Sequence, residues 1–314
     1  MCWNTTNAQD ILKKVSPIGK DLIDTLFIDN NVNNWSVRGF GSFKDYTFKL
    51  INGPNKIKYV PKNRFGLGVG YANSKIHLDM GFNIKGQEAE VTERFTLSAD
   101  LTLGKSFFGF RVTRYQGYDV QLQNAPDLFR DDIKTFGVDL FYTMLFNSKQ
   151  VSLSSVLSGS QKQIKNAGSF IGGLFAYYHT LEADSSIITP TAFNEFNTES
   201  QYEKVNSLAF GVSGGYAYNI VFAKHFFVSL AAYPGIGLNF KKVEIENESY
   251  RPDDYLIFLL GVRASIGYNG PRYYLELSDK HSINSSGFNF GNRGILNSSQ
   301  IKLAFGWKLR AKLD

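Results

Sequence analysis

Apolar and polar residues alternate without a break in two ten-residue runs, residues 75–84 and 94–103. Such alternation places the apolar side chains on one face of a β-strand and the polar side chains on the other. Ten alternating residues is about the length that a tilted strand needs to cross a bilayer. The two runs therefore predict membrane-spanning strands.

The same alternation predicts strands along most of the chain, at 35–50, 57–71, 75–85, 92–104, 107–118, 132–146, 150–158, 167–181, 204–220, 226–241, 255–268, 272–280 and 299–309. The connections between them are of two kinds. Short turns fall at 72–74, 104–106, 147–149, 223–225 and 269–271, and longer polar loops at 119–131, 182–203, 242–254 and 281–298. Aromatic residues flank most of the turns, as in the interfacial girdle of a membrane barrel. The sequence thus predicts an all-β fold, an antiparallel transmembrane β-barrel with short periplasmic turns and longer extracellular loops.

The number of strands is bounded by parity. The predicted strands are odd in number, whereas single-chain bacterial barrels have an even number. A further strand within 182–203 would give 14 strands, and removal of 150–158 would give 12; we favour 14 within a range of 12–14.

A soluble β-sandwich or lipocalin-like barrel also alternates, but its apolar residues point inward. A soluble periplasmic barrel that binds a small ligand is kept as an alternative.

The N-terminus resembles the end of a secretory signal peptide, with Thr6-Asn7-Ala8 as a cleavage site before Gln9. We expect a signal-peptide remnant at 1–8, a periplasmic segment at 9–33 and the barrel at 34–314, with the true start codon upstream. The expected location is the bacterial outer membrane. No stretch approaches the ~20 apolar residues of a membrane helix.

The charge and the cysteine content limit the classes of binding partner and the disulfides that we expect. The net charge is +6 without a basic stripe, so we expect no nucleic-acid binding, whereas a basic surface suits lipopolysaccharide phosphates. Cys2 is the only cysteine in the chain, which excludes an internal disulfide. We expect contacts with outer-membrane lipid and lipopolysaccharide, protein partners that the sequence does not identify, and no cofactor or metal.

If the apolar faces contact lipid, the opposite faces line the lumen and carry charges of both signs. Isolated charges in a poorly hydrated lumen are costly, so these groups must pair. The predicted lumen network comprises Arg64, His77, Asp79, Arg94, Asp100, Arg111, Asp139, Arg263 and Glu276. It predicts either a salt-bridged interior or the lining of a narrow pore.

The glycines of 66–70 recur at every second residue, which indicates a lumen-facing row and not a nucleotide-binding loop.

Residues 280–287 are the one segment that suggests catalysis, because they resemble the His-x-Ser-Asn run of outer-membrane phospholipases and lipid A deacylases. A Ser nucleophile and its His base must share one face of a strand. Ser282 points away from His281, and Ser285 is about 13 Å further along an extended strand. We therefore predict a polar surface loop and no catalytic residue, with a lipid acyl hydrolase as the alternative.

Residues 34–38 (Asn-Trp-Ser-Val-Arg) and 59–68 (Tyr-Val-Pro-Lys-Asn-Arg-Phe-Gly-Leu-Gly) resemble an uncharacterised Bacteroidota family of predicted outer-membrane proteins, defined by a domain of unknown function. Residues 165–170 and 183–188 fit the same family, and the likeness covers nearly the whole mature chain. The resemblance implies an outer-membrane barrel and no particular activity. We expect a narrow pore or a structural or partner-binding component of the envelope.

Overall fold

A computed structural model describes residues 25–26, 28–29, 35–73, 75–84, 90–122, 126–152, 155, 162–246 and 248–309. Within these residues, fourteen strands form one antiparallel sheet. They are β1 (Trp35–Asn52), β2 (Asn55–Val60), β3 (Phe65–Asn73), β4 (Ile76–Asn83), β5 (Glu93–Leu103), β6 (Ser106–Gln121), β7 (Leu128–Leu145), β8 (Ala167–Glu182), β9 (Lys204–Phe222), β10 (Phe226–Ile245), β11 (Glu248–Tyr250), β12 (Leu256–Asn269), β13 (Tyr273–Gly287) and β14 (Asn292–Lys308). None of the described helices is long and apolar enough to cross a membrane.

The sheet closes on itself because β1 pairs with β14 from Ser36↔Lys308 to Asn52↔Asn292. The other long strands pair with their sequence neighbours, so the predicted antiparallel barrel is confirmed. The short strand β2 pairs with both β1 and β6. In the half of the barrel where β1 ends, β2 alone therefore lies between β1 and β6. In the other half, β3, β4 and β5 lie between them.

The two ends of the barrel differ in their connections. One end, here called the turn end, carries the short connections 74–75, 104–105, 223–225 and 270–272 together with the start of β1 and the end of β14. The opposite end, here called the loop end, carries the connections 183–203 and 246–255. This division into short and long connections matches the prediction from sequence, apart from the β7–β8 connection, 146–166, at the turn end.

Four details of the strand prediction are wrong. Segment 57–71 is divided into β2 and β3 by 61–64, where proline cannot donate to the ladder. Within 150–158, Val151 and Ser152 lie in a connection, and 153–154 and 156–158 are outside the described residues. The loop 182–203 contains two short 3₁₀ helices, Pro190–Glu195 and Thr198–Ser200, and no strand.

The fourth error concerns 281–298, predicted as a loop. It contains the ends of β13 and β14, joined by a short turn at 288–291. These strand ends are rich in Ser and Asn. Their pairing rests on the ladder with neighbouring strands, so they need not show the apolar alternation from which the strands were predicted.

The outer surface of the barrel is apolar, as expected for contact with lipid. Leu67, Val69 and Leu303 are 59%, 62% and 53% exposed, and the same face of most other strands is equally apolar. A soluble barrel would bury such residues, so this surface argues against the soluble alternative. Rings near the turn end, including Trp35, Tyr71, Tyr273 and Trp307, form the girdle expected at a membrane interface.

The loop end is covered by residues 183–203, here called the cap. Its apolar side chains are buried against the ends of β1, β2, β6 and β7. The Tyr59 hydroxyl donates to the Ile187 carbonyl at 3.1 Å, and Ser200 Oγ donates to Asn292 Oδ1 at 2.7 Å. Strands β2 and β14, which flank β1, therefore hold the cap over the lumen.

The turn end is filled by the β7–β8 connection. Val151 packs with inward residues of β6 to β10, including Phe107 and Ile171. Gln163 is 3% exposed, and its Oε1 accepts from the Ser152 amide at 3.0 Å and from Asn219 Nδ2 at 3.2 Å. The described part of the predicted periplasmic segment is at the same end, where Ile28 bridges to Gln163.

Candidate functional site

The centre of the lumen is organised around the carboxylate of Asp79 on β4. Arg38 of β1 donates to Asp79 Oδ1 from Nε at 2.8 Å and from Nη2 at 2.7 Å. Lys302 of β14 donates to Asp79 Oδ2 at 2.9 Å. Arg38 is 1% exposed and Lys302 4%. The three side chains can meet because β4, β3, β1 and β14 are consecutive in the barrel wall. The inward-facing residues of these strands therefore share one region of the lumen.

His77 extends this cluster toward β5. Its Nε2 is 3.3 Å from Asp79 Oδ2, and its Nδ1 is 3.7 Å from Asp100 Oδ2. Glu276 of β13 is 5% exposed, and its Oε2 makes no hydrogen bond to the described residues. His77, Asp79, Asp100 and Glu276 are thus all on the lumen side of their strands.

A second cluster lies on β6, β7 and β8. Arg111 Nε donates to Asp139 Oδ2 at 2.6 Å, and His179 Nε2 is 2.7 Å from Asp139 Oδ1. The ring of Tyr177 stacks on the His179 ring with centroids 5.6 Å apart. Asp139 is 2% exposed, and inside the barrel its carboxylate pairs with Arg111 and contacts the His179 ring.

The remaining predicted lumen residues do not all join these clusters. Arg94 is buried, and its Nη1 donates to the Arg64 carbonyl at 2.8 Å. Arg263 Nε donates to the Tyr233 hydroxyl at 3.2 Å. Arg64 itself is in the connection between β2 and β3, with its guanidinium 5.7 Å from the ring of the outward-facing Phe43. Its position departs from the lumen prediction because the strand is interrupted there.

Sequence reasoning left several cations out of the predicted network. They are Arg38, Lys44 and Lys280. Lys44 Nζ donates to Thr96 Oγ1 at 2.7 Å within the lumen. Arg38 and Lys44 share the parity of the other inward residues of β1, so the alternation contained the signal. With these residues included, lumen-facing cations outnumber lumen-facing carboxylates.

Beneath the cap is a cavity of about 100 Å³. Its wall is largely aromatic and amide-bearing, formed by Tyr46, Phe48, Tyr177, His179, Asn239, Asn284, Phe288 and Leu296. Tyr202 of the cap is fully buried above it, and burial raises the pKa of Tyr202 well above its ordinary value. The cavity has room for a few water molecules.

Polar residues also occupy the outer wall, on β1, β14 and β13, here called the outer polar patch. It consists of Asp45, Thr47, Asp279, His281, Ser285, Asn297 and Ser299, all on the parity of the lipid-facing residues of their strands. Ser299 is directly opposite both Asp45 and His281. Asp279 Oδ1 and Asn297 Oδ1 are buried and make no hydrogen bond to the described residues. Since 281–298 was predicted as a loop, sequence reasoning missed the Ser299–His281 pair.

Comparison with solved structures returns membrane barrels of low similarity. The chain is similar to the outer membrane protease OmpT from Escherichia coli, at 8% identity and a TM-score of 0.41, over 90% of this chain and 98% of that chain. It is also similar to an outer membrane channel from Pseudomonas putida F1, at 12% identity and a TM-score of 0.37, over 87% of this chain and 95% of that chain. Likenesses at these scores carry no argument here.

A search of curated proteins finds no match to this chain. The profile of a family described as a domain of unknown function, DUF4421, matches residues 22–307, which is nearly all of the chain. The protein therefore belongs to the DUF4421 family.

Proposed function

We propose that the protein is a closed β-barrel of the bacterial outer membrane that serves as a structural or partner-binding component of the envelope. The observation that carries the proposal is the paired interior between two filled ends. Asp79 and Asp139 are each held by two basic neighbours, with the cap above and the β7–β8 connection below. An open pore would require displacement of these pairs.

The location is supported by the outer surface. The exposed apolar belt and the ring of aromatics near the turn end suit a bilayer, and the short connections then face the periplasm. The signal-peptide remnant at 1–8 and the Bacteroidota origin belong to this proposal, since they rest on Thr6-Asn7-Ala8 and on the family resemblance. Contact with outer-membrane lipid and lipopolysaccharide follows from the same placement.

Two measurements test the proposal. Recovery in the outer-membrane fraction with a heat-modifiable gel shift is expected, and recovery as a soluble periplasmic protein would overturn the location. In planar bilayers the folded barrel should give no steady ion conductance, with an open porin as the positive control. A steady conductance would replace the closed barrel with a narrow pore.

A second candidate function, lipid acyl hydrolysis, is favoured by one observation. His281 is directly opposite Ser299 on the lipid-facing wall, where ionisable groups are costly and commonly functional. His281 would accept the Ser299 hydroxyl proton as that oxygen attacks an ester carbonyl, and would pass the proton to the departing alcohol as the original ester bond breaks. Water would then hydrolyse the acyl ester of Ser299, which releases the fatty acid and restores the hydroxyl. The partner of the histidine in this scheme is Ser299 and not Ser285, which is further along the same strand.

Hydrolysis is tested by release of fatty acid from phospholipid and lipid A vesicles that contain the folded barrel. Ser299→Ala and His281→Ala should each abolish the release, whereas the control Ser285→Ala should retain it. Absence of release by the unaltered protein, or release that survives Ser299→Ala, would exclude this candidate.

A further inference from the structure

We propose that Lys49, Lys56, Lys58 and Arg293 form a site on the outer wall of the barrel that binds the phosphate groups of lipopolysaccharide. The inference rests on the proposed location in the outer membrane and goes beyond it by assigning the residues that hold the lipid. These four residues are here called the outer basic cluster.

The cluster is built by the register of three neighbouring strands. Lys49 on β1 is directly opposite Lys58 on β2. Ile51, two residues beyond Lys49, is opposite Lys56 on one side and Arg293 on the other. Directly opposed side chains have β-carbons about 5 Å apart, so the four cations share one patch of wall.

All four side chains point away from the lumen. Leu50, Ile57 and Tyr59 are buried in the core beneath the cap, so the residues that alternate with them on β1 and β2 face outward. Gly294 and Leu296 line the inner cavity, which places Arg293 on the outer face of β14. The cluster is therefore presented to the surroundings of the barrel.

No anion among the described residues pairs with the cluster. None of the four makes a hydrogen bond or ion pair with the described residues, while Asp45, the carboxylate below Lys49, accepts from Thr47 Oγ1 at 2.5 Å. Like charges placed directly opposite each other destabilise a sheet. A bound anion would remove this repulsion.

The height of the cluster matches the headgroup region. From Val37, which is level with the girdle rings of Tyr71 and Trp307, the chain advances twelve residues to Lys49. That is about 40 Å along the strand, or about 30 Å along the membrane normal at a tilt of about 40°. The apolar band of such barrels is about 25 Å tall. Lys49 and its neighbours therefore lie just beyond the acyl chains of the outer leaflet.

Phosphate is the anion that fits this composition and place. The Arg293 guanidinium can hold two phosphate oxygens at once, and the three ammonium groups supply further donors. Ile51 and Ile295 lie between the cations, at the height of the cluster itself. Lipopolysaccharide carries phosphate groups in the headgroup region of the outer leaflet, which is the height assigned to the cluster.

The test compares lipid binding by two folded variants with the same loss of charge. Lys49→Gln/Lys58→Gln/Arg293→Gln removes three of the four cations of the cluster. Lys134→Gln/Lys204→Gln/Lys242→Gln removes rim lysines elsewhere, two of which pair with Glu182 and Glu244. Heat-modifiable migration and outer-membrane fractionation first establish that each variant is a folded membrane barrel; failure of the unaltered protein at this step would refute the location and not the site.

Binding is then measured by native mass spectrometry in detergent with bis-phosphorylated lipid A, dephosphorylated lipid A and inorganic phosphate. We expect the cluster variant to bind bis-phosphorylated lipid A about tenfold more weakly, since exposed ion pairs contribute modestly and three are lost. The rim variant should bind as the unaltered protein does. Equal binding of dephosphorylated lipid A, equal loss in both variants, or saturation by inorganic phosphate alone would overturn the proposal.

Discussion

The charged side chains inside the barrel are stabilised by pairing, and glycines of the wall leave the space that they occupy. The carboxylate of Asp79 meets Arg38 and Lys302 within 3 Å, so each charge is stabilised only while its partners are present. Gly66, Gly68 and Gly70 of β3 face the same interior. A β-carbon at Gly68 would collide with the ring of Phe40. The glycine row thus makes room for the network.

Asp79→Asn should destabilise the folded barrel by about 3 kcal/mol, because it leaves two buried cations without their carboxylate. The measurement is the urea midpoint of refolded protein in detergent micelles. The control is Glu90→Gln, which removes the exposed Lys62–Glu90 pair and should change stability by less than about 1 kcal/mol. Similar effects of the two substitutions would refute the proposed importance of the lumen network.

Gly68→Ala should cost about 1–3 kcal/mol, since the added methyl group overpacks the wall against Phe40. Gly41→Ala is the matched control, because it is a strand glycine with no atom within 4 Å of the added β-carbon. Thermal midpoints of heat-modifiable migration compare the two. A Gly68→Ala barrel as stable as Gly41→Ala would contradict the close approach of Phe40.

Among the elements, the cap is the one that decides whether the lumen is accessible. It has little regular secondary structure, and it is held by buried side chains that include Ile187, Ile188 and Tyr202, each at 0% exposure. Its stability therefore depends on packing against the strand ends, and changes in that packing should loosen the cap before they affect the barrel wall.

Ile187→Asp should open the cap, because it places a charge in a fully buried apolar position. Limited digestion with a glutamate-specific protease should then cut rapidly after Glu195 and Glu199, while the barrel fragment stays heat-modifiable. Asn194→Asp, at an exposed position of the same loop, should digest at the unaltered rate. Resistance of Ile187→Asp to the protease would show that the cap is held in another way.

Tyr202→Phe should stabilise the protein by about 1 kcal/mol at neutral pH, because the Tyr202 hydroxyl is buried without a hydrogen-bond partner among the described residues. Its raised pKa means that the unfolded chain loses this proton above about pH 10 while the folded chain keeps it, so stability falls as pH rises through that value. Unfolding midpoints at pH 7 and pH 10.5 should show a smaller alkaline loss in Tyr202→Phe, and no such difference in Tyr255→Phe, at a more exposed position.

The molecule as a whole is defined by closure of its first strand on its last. β1 and β14 are paired over their full length, with Gly41 opposite Leu303 on the outer face. This closure removes the open sheet edges that a membrane cannot tolerate, because unpaired backbone groups are costly in lipid.

Closure is tested by a disulfide. In a Cys2→Ser background, Gly41→Cys with Leu303→Cys should form an intramolecular bond, since directly opposed residues lie within the range of disulfide geometry. A change in gel mobility that reverses on reduction reports the bond. Gly41→Cys with Trp307→Cys should remain reduced, because Trp307 is opposite Val37. The reverse result would refute the register.

Alternation alone identified the class of fold, the outward direction of the apolar faces and the two sizes of connection. These follow from local rules, since a strand of period two beside lipid must expose every second residue. It located β4 and β5 well because both strands are apolar on one face throughout. The prediction was less accurate at 281–298, where polar residues occupy most outward positions of β13 and β14 and the apolar alternation is lost.

The order and register of the strands decide which polar side chains come into contact. Arg38 reaches Asp79 across β3, and Lys302 joins them only because β1 pairs with β14. The register of β13 and β14 opposes Ser299 to His281, and closure of β1 on β14 places Arg293 opposite Ile51, near Lys49. The local sequence pattern shows which face of a strand a residue occupies. The choice of neighbouring strands and the register between them depend on contacts across the whole sheet.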